Sequence, residues 1–263
     1  MKQSHLFTKT RKDAPADADS PNARLLTQAG FISQLAAGIY TYLPLGLRVL
    51  DKIKNIVREE MDALGAQEVL MPALHPKHLY DSTDRWDKID VMFKLDGAGG
   101  KKYSLSSTAE EVVTPLVKEF VNSYKDLPVA VYQIQDKFRN EPRAKSGLLR
   151  GREFSMKDLY SFHADEADFL DFYEKAKVAY LNVYTRCGLD AVVTAASGGV
   201  FTEKHSHEFQ VATDAGEDHI YIDRASGEVM NREIIPEEDW KNEEKYEIKK
   251  SIEVGNIFPL ECR

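Results

Sequence analysis

Apolar residues recur at helical spacing in "LRVLDKIKNIVREEMDALG": Leu50, Ile53, Val57, Met61 and Leu64 fall on one stripe, and Gly65 closes the run. Residues 47–65 are therefore predicted as an amphipathic helix. "SPNARLLTQAGFISQLAAG" reads as an earlier helix, with Ser20 as cap, Pro21 in the first turn and a stripe of Leu25, Ala29, Ile32, Leu35 and Ala36. "QEVLMP" reads as a strand that ends at Pro72, which cannot donate to a ladder. "VMFKL" and "YSLSS" flank "DGAGGKK" as a hairpin. "STAEEVVTPLVKEFVNSY" is predicted as a helix kinked at Pro115, and "LPVAVYQIQDKFRNE" alternates like a strand. A long helix, "DEADFLDFYEKAKVAYLNVYTRCG", has acids in its first turn and Gly188 at its end. The strand candidates "DAVVTA", "HEFQVAT", "HIYID" and "SIEVGNIF" follow. Hairpins and long excursions join most neighbours, so the expected class is α+β, a mainly antiparallel sheet flanked by helices.

Composition narrows the classes. The 263 residues are 43% hydrophobic and 30% charged, an ordinary globular balance read as one domain. No stretch approaches the roughly 18 apolar residues that span a membrane. The polar N-terminus lacks the apolar core of a secretory signal, which places the expected compartment in the cytosol. Cys187 and Cys262 stand far apart, in neither a disulfide framework nor a zinc spacing. The net charge of −8 opposes general nucleic-acid binding, and no DNA partner is expected. The glycines before Lys101 and Lys102 do not make a phosphate loop, because Lys102 stands where Ser or Thr is required. His205 and His207 share strand parity, but two ligands do not make a metal site.

One segment departs from the acidic background. "FRNEPRAKSGLLRGREFSMKD" crowds Arg139, Arg143, Lys145, Arg150 and Arg152 into a predicted hairpin. Parity puts Arg139 and Glu141 on one face of the outgoing strand, and Arg150, Arg152 and Phe154 on one face of the returning strand, with Asp158 in the same phase. Arginine forks match phosphate oxygens, and an aromatic ring beyond them can stack on a base. The bland alternative is a solvated hairpin with surface ion pairs.

The pattern of Phe138, Arg139, Glu141, Arg150, Phe154 and Asp158 resembles motif 2 of the class II aminoacyl-tRNA synthetases. The helix–strand–Pro72 sequence resembles their motif 1, which implies a homodimer interface around Pro72. "LRVLDKIKNIVREEMDALGAQEVLMPAL", "SSTAEEVVTPLV", "LPVAVYQIQDKFRNE", "REFSMKDLYSFH" and "SHEFQV", in this order, are similar to the bacterial prolyl-tRNA synthetases over nearly the whole chain. The resemblance implies a proline–tRNA ligase with ATP, L-proline and tRNA(Pro) as substrates and Mg2+ as cofactor. It implies that Arg139 holds the α-phosphate and the amino-acid carboxylate. Glu141 would contact adenine, Arg150 the γ-phosphate, and Phe154 would stack on the base. Arg143 and Lys145 would reach the tRNA acceptor stem. Thr108 and Glu110 match a T-x-E clamp for the proline nitrogen, and His163 a histidine of the proline pocket. Glu208 is placed near Mg2+.

Ser107 to Glu110 also spells a helix capping box, so clamp and cap both stand on the sequence. Residues 224–250 are expected to be a short connector where many bacterial relatives carry an editing domain. The glycine-rich motif 3 and the anticodon-binding domain lie beyond the point where this sequence stops, so the resemblance is to the N-terminal part of the family. Two alternatives follow. One is a non-catalytic or truncated synthetase-like protein that binds tRNA or a partner. The other is a threonyl enzyme, disfavoured because its zinc ligands have no match here.

Overall fold

The computed structural model describes residues 2–13, 15, 18, 20–199, 202 and 206–260. His205 lies outside the described residues. The chain forms two compact units, Met1–Ala164 and Asp165–Arg263.

In the first unit, α1 (Pro21–Gln28) begins as predicted, with Ser20 Oγ accepting from the Ala23 amide. It ends ten residues before the predicted stop at Gly38. Gly30, at φ +72°, turns left-handed, and the amides of Gly30 and Phe31 return to the carbonyls of Thr27 and Leu26. The remaining "ISQLA" becomes strand β1 (Ile32–Ala36), paired antiparallel with β2 (Ile39–Tyr42). Apolar spacing alone could not separate the two, because Ile32 and Leu35 satisfy either period over so short a run.

The helix α2 (Pro44–Ala63) closes at Gly65 with the same left-handed exit. Its predicted stripe is only partly covered. Met61 is buried, whereas Ile53 is exposed, as are Leu47 and Val49. The predicted strand at "QEVLMP" shrinks to β3 (Gln67–Glu68), because the Met71 amide and carbonyl turn aside to the side chains of Gln133 and Gln135. A small sheet follows, built from β4 (Leu74–Pro76), β5 (Lys94–Asp96) and β6 (Lys102–Leu105) in the order β4–β6–β5. The β5–β6 hairpin turns through Gly99 and Gly100, both at positive φ, as the glycine-rich loop predicted.

Next comes α3 (Glu110–Phe120), which contains Pro115. The unit is organised by β7 (Val129–Phe138) and β8 (Glu153–Phe162), antiparallel from Val129↔Phe162 to Phe138↔Glu153, with β3 parallel to β7. Opposed residues share a face. One face carries Val131, Gln133, Gln135 and Lys137 with Tyr160, Asp158, Met156 and Phe154. Its Val131 end packs Tyr160 and Phe162 against Ala109, Val113 and Val117 of the α3 region. The other face carries Tyr132, whose hydroxyl donates to Asp62 of α2 at 2.7 Å.

The second unit starts with α4 (Glu166–Arg186), capped by Asp165 and ended by Gly188 at φ +78°. Five strands form a closed sheet in the order β10–β13–β11–β12–β9: β9 (Ala191–Ala196), β10 (Ser206–Ala212), β11 (Asp218–Asp223), β12 (Val229–Asn231) and β13 (Tyr246–Ile257). All pairings are antiparallel except β9–β12, which meets at Met230↔Ala195. Tyr173, Tyr180 and Tyr184 of α4 pack on Phe209 and Ile257. The segment 224–250, expected as a connector, supplies β12 and the start of β13 to this sheet. Between β11 and β12 the chain turns on itself: Asp223 Oδ1 accepts from the amides of Ala225 and Ser226, and Gly227 takes φ +75°. No described helix is long and apolar enough to cross a membrane.

Candidate active site

The β7–β8 hairpin positions the cationic segment. The Arg139 amide donates to the Arg152 carbonyl at 2.9 Å, extending the ladder one step past β7. The Arg139 guanidinium lies 5.4 Å from the centre of the Phe154 ring, so the cation and the aromatic of the motif share one side of the hairpin. Glu141 lies beyond the strand, its amide bonded to the Arg139 carbonyl at 2.7 Å. Arg150 also lies outside β8, bridged to Lys145 across the loop mouth. Arg143, Lys145 and Arg150 are exposed.

Arg152 does a different job. Its Nε donates to the Glu141 carbonyl and its Nη1 to the Ala37 carbonyl, both at 3.0 Å, while its amide donates to Gly38 at 2.7 Å. The β1–β2 turn thus holds the base of the loop. Gly38 has φ +73°, and a Cβ there would meet Ala144 Cβ at 2.5 Å and the Arg152 amide at 2.9 Å. Gly38→Ala is expected to destabilise the chain by about 1–3 kcal/mol, from left-handed strain and overpacking together, read as a lower midpoint in urea.

The segment leading into α3 runs from this end of the hairpin toward its Tyr160 end. Phe138 N donates to the Ser106 carbonyl at 2.9 Å, and Ser106 Oγ to the Thr108 carbonyl at 3.1 Å. Thr108 Oγ1 reaches both oxygens of Glu110 at 2.6 Å. The N-cap of α3 is Ala109, and no side chain caps it, so the capping box is not formed. The Ala109 amide instead donates to Tyr160 Oη at 3.0 Å. Arg85 spans the paired acids, at 2.8 Å from Glu111 and 3.4 Å from Glu110. Burial pushes the Glu111 carboxyl up, against the opposing pull of Arg85.

Between these ends lies a buried polar network that the sequence left without roles. Asp158 Oδ2 accepts from Tyr160 Oη and from Gln133 Nε2, each at 2.9 Å. Its Oδ1 lies 3.3 Å from Lys137 Nζ, which also donates to Gln135 at 2.9 Å. Lys137 is 0% exposed. Burial lowers its pKa, and Asp158 opposes that shift. Removing one partner of such a pair typically costs about 3–5 kcal/mol. Strand parity carried on from Arg139 and Phe154 finds Lys137, Asp158 and Tyr160.

Two further expected residues are His163 and Glu208. His163 follows the last residue of β8, three residues past Tyr160 and in the opposite parity to Asp158 and Tyr160. Glu208, on β10 of the second unit, is buried, and burial raises its pKa. Its oxygens accept from Asn231 at 2.7 Å, Gln210 at 2.8 Å and Asn256 at 3.4 Å. Gln210 Oε1 and Asn256 Oδ1 beside it are buried without a hydrogen-bond partner, an oxygen set that suits a hard cation. Among the described residues no three His, Cys, Asp or Glu gather to hold a metal.

Residues 93–261 match the tRNA synthetase class II core domain (G, H, P, S and T). The chain belongs to this family. The synthetase core is 49% identical over 219 residues to a proline–tRNA ligase of Nocardioides sp. strain JS614, covering 83% of this chain and 37% of that protein. It is 45% identical over 266 residues to a proline–tRNA ligase of Arthrobacter sp. strain FB24, covering 99% and 44%. The chain thus spans less than half the length of these relatives. The fold of the synthetase core is similar to that of Giardia lamblia prolyl-tRNA synthetase in complex with prolyl-adenylate, with a TM-score of 0.68 at 17% identity over 87% of this chain and 49% of that one. It is also similar to the Cryptosporidium parvum prolyl-tRNA synthetase complexed with L-proline and AMP, with a TM-score of 0.65 at 14% identity over 79% and 45%.

Proposed function

We propose that this chain carries the proline-activating site of a proline–tRNA ligase, which joins L-proline to ATP as prolyl adenylate and passes the prolyl group to tRNA(Pro). The observation that carries the reading is one sheet face. It carries Arg139 and Phe154 at one end and Tyr160 toward the other, and the Thr108–Glu110 segment runs between them, from Ser106 bonded to Phe138 to Ala109 bonded to Tyr160. The relatives named proline–tRNA ligase agree with it.

The chemistry follows from charge. A proline carboxylate is already an anion at neutral pH, so attack on the α-phosphorus needs no general base. The obstacle is anion–anion repulsion. Arg139 relieves it by holding the α-phosphate and the carboxylate together in line, and Phe154 supports the adenine. Arg150 serves the γ-phosphate and Glu141 the adenine edge. Glu110, fixed by the Thr108 hydroxyl, receives the cationic ring nitrogen. Tyr160 faces this clamp, its hydroxyl accepting from the Ala109 amide. Arg143 and Lys145 project from the exposed loop toward the acceptor stem. Mg2+ would ease the charge on the departing pyrophosphate, with Glu208 near it.

The reading extends to assembly and place. Leu47, Val49 and Ile53 of α2 and Leu70 beside Pro72 expose apolar surface on the segments that resemble motif 1, which suits a homodimer. The cytoplasm is the compartment in which these substrates meet.

The test is calorimetric binding of non-hydrolysable aminoacyl-adenylate analogues. The prolyl analogue is expected to bind at least about tenfold more tightly than the alanyl or threonyl one, since a missing methylene is worth about 1–3 kcal/mol. Preference for the threonyl analogue overturns the reading.

A further inference from the structure

We propose that Lys137 is a positioning residue for the amino-acid half of this site, acting through Asp158 and Tyr160 on the Thr108–Glu110 segment. The inference rests on the function proposed above and assigns a role to the fully buried cation beneath it.

Three links form the path. Lys137 Nζ stands 3.3 Å from Asp158 Oδ1, Asp158 Oδ2 accepts from Tyr160 Oη at 2.9 Å, and Tyr160 Oη accepts from the Ala109 amide at 3.0 Å. Ala109 lies between Thr108 and Glu110 and is 0% exposed, so its amide has no water to turn to. With no side chain capping α3, the tyrosine hydroxyl is the group that fixes where the helix starts.

The direction of these bonds depends on charge. An ionised Asp158 only accepts, so the Tyr160 proton points to it and the tyrosine oxygen is left to receive the Ala109 amide. Lys137 Nζ is the cation that stands against the Asp158 carboxylate and holds it toward Tyr160. An apolar side chain would fill the same space without the desolvation that a buried ammonium carries, so packing alone does not account for a lysine here. Gln133 and Gln135 tie the pair to the Met71 backbone and hold its geometry from the other side.

Lys137 also lies opposite Phe154 in the strand register and two residues before Arg139. The nucleotide end of the face has supports that do not pass through Lys137, namely Arg152, the β1–β2 turn and the Phe138 amide on the Ser106 carbonyl. The effect of Lys137 should therefore fall on one substrate and spare the other.

Lys137→Met and Tyr160→Phe separate this role from a general one. A non-hydrolysable prolyl-adenylate analogue and a non-hydrolysable ATP analogue are titrated into the wild-type chain and each variant. Both variants are expected to lose about 10–100-fold in affinity for the prolyl analogue, the scale of a hydrogen bond to a charged group, and to keep ATP-analogue affinity within about threefold. Amide hydrogen exchange on the unliganded proteins should speed up at residues 107–111 in both variants and stay unchanged at residues 139–154. Equal losses for the two ligands, or unchanged exchange at residues 107–111, overturn the proposal. If Lys137→Met does not fold, Tyr160→Phe decides by the same two readings. A wild-type chain that favours a different aminoacyl adenylate overturns the proline reading, and the exchange difference then decides the role of Lys137 by itself.

Discussion

Arg139→Ala is expected to cut proline-dependent pyrophosphate exchange by about 10²–10³-fold, the usual loss when a preorganised donor is removed from a centre where charge develops. The guanidinium is placed by backbone rather than by flexible reach. Its amide is locked to the Arg152 carbonyl, the following amide of Asn140 is held by the Val91 carbonyl at 2.7 Å, and the cation rests against the Phe154 ring. Such a donor needs little reorganisation when the transition state forms. Arg143→Ala should leave exchange within about threefold and lower the rate of transfer to tRNA, because Arg143 is exposed in the loop and forms no part of the sheet face. Both are measured in the complete gene product. Equal depression of pyrophosphate exchange by the two substitutions would show that the loop also serves the first step.

Glu110→Gln is expected to raise the KM for proline by about 10–100-fold while the KM for ATP stays within about twofold, since a charge-assisted hydrogen bond to a cationic amine is lost and the shape is kept. The substitution separates the two readings that the sequence left open. A capping box accepts glutamine as readily as glutamate, so a helix-capping Glu110 would tolerate the change. In the structure Glu110 caps nothing. Its oxygens are taken by Thr108 and approached by Arg85, and the helix start is held by Tyr160 instead. Unchanged proline kinetics in Glu110→Gln would return the residue to a structural role.

The legibility of this protein followed the range of the interactions involved. Helix ends at Gly65 and Gly188 and the cap at Ser20 depend on neighbours in sequence, and each stands where the residues placed it. The β7–β8 hairpin was readable because strand parity and the basic loop agreed. The end of α1 was not, because Gly30 and a fully extended continuation looked the same as one more helical turn in an apolar run. The strand predicted at "QEVLMP" came out shorter, as β3, for a different reason. Gln133 and Gln135, more than sixty residues away in sequence, take the Met71 backbone out of the ladder. In the site, Arg139 and Phe154 were legible as a motif. The Lys137–Asp158 pair was not, since nothing local tells a lysine on a strand that it will be fully buried. His163 and Glu208 came from resemblance alone, and the structure sets one beyond the strand end and rings the other with amides.

The turn from Asp223 to Gly227 is anchored at Arg224, which donates to the carbonyls of Lys245 and Glu243, and its tip at Ala225 and Ser226 closes on Asp223. That makes it a natural splice point. Lengthening a loop is entropically cheap, at about 0.6 kcal/mol for each doubling, so a whole module could be inserted there without disturbing the strands on either side. The interval in which the family resemblance led one to look for an additional domain is thus one where the scaffold is indifferent to cargo. Gain or loss of such a module can proceed as an exchange of parts, leaving the strands on either side of the turn as they are.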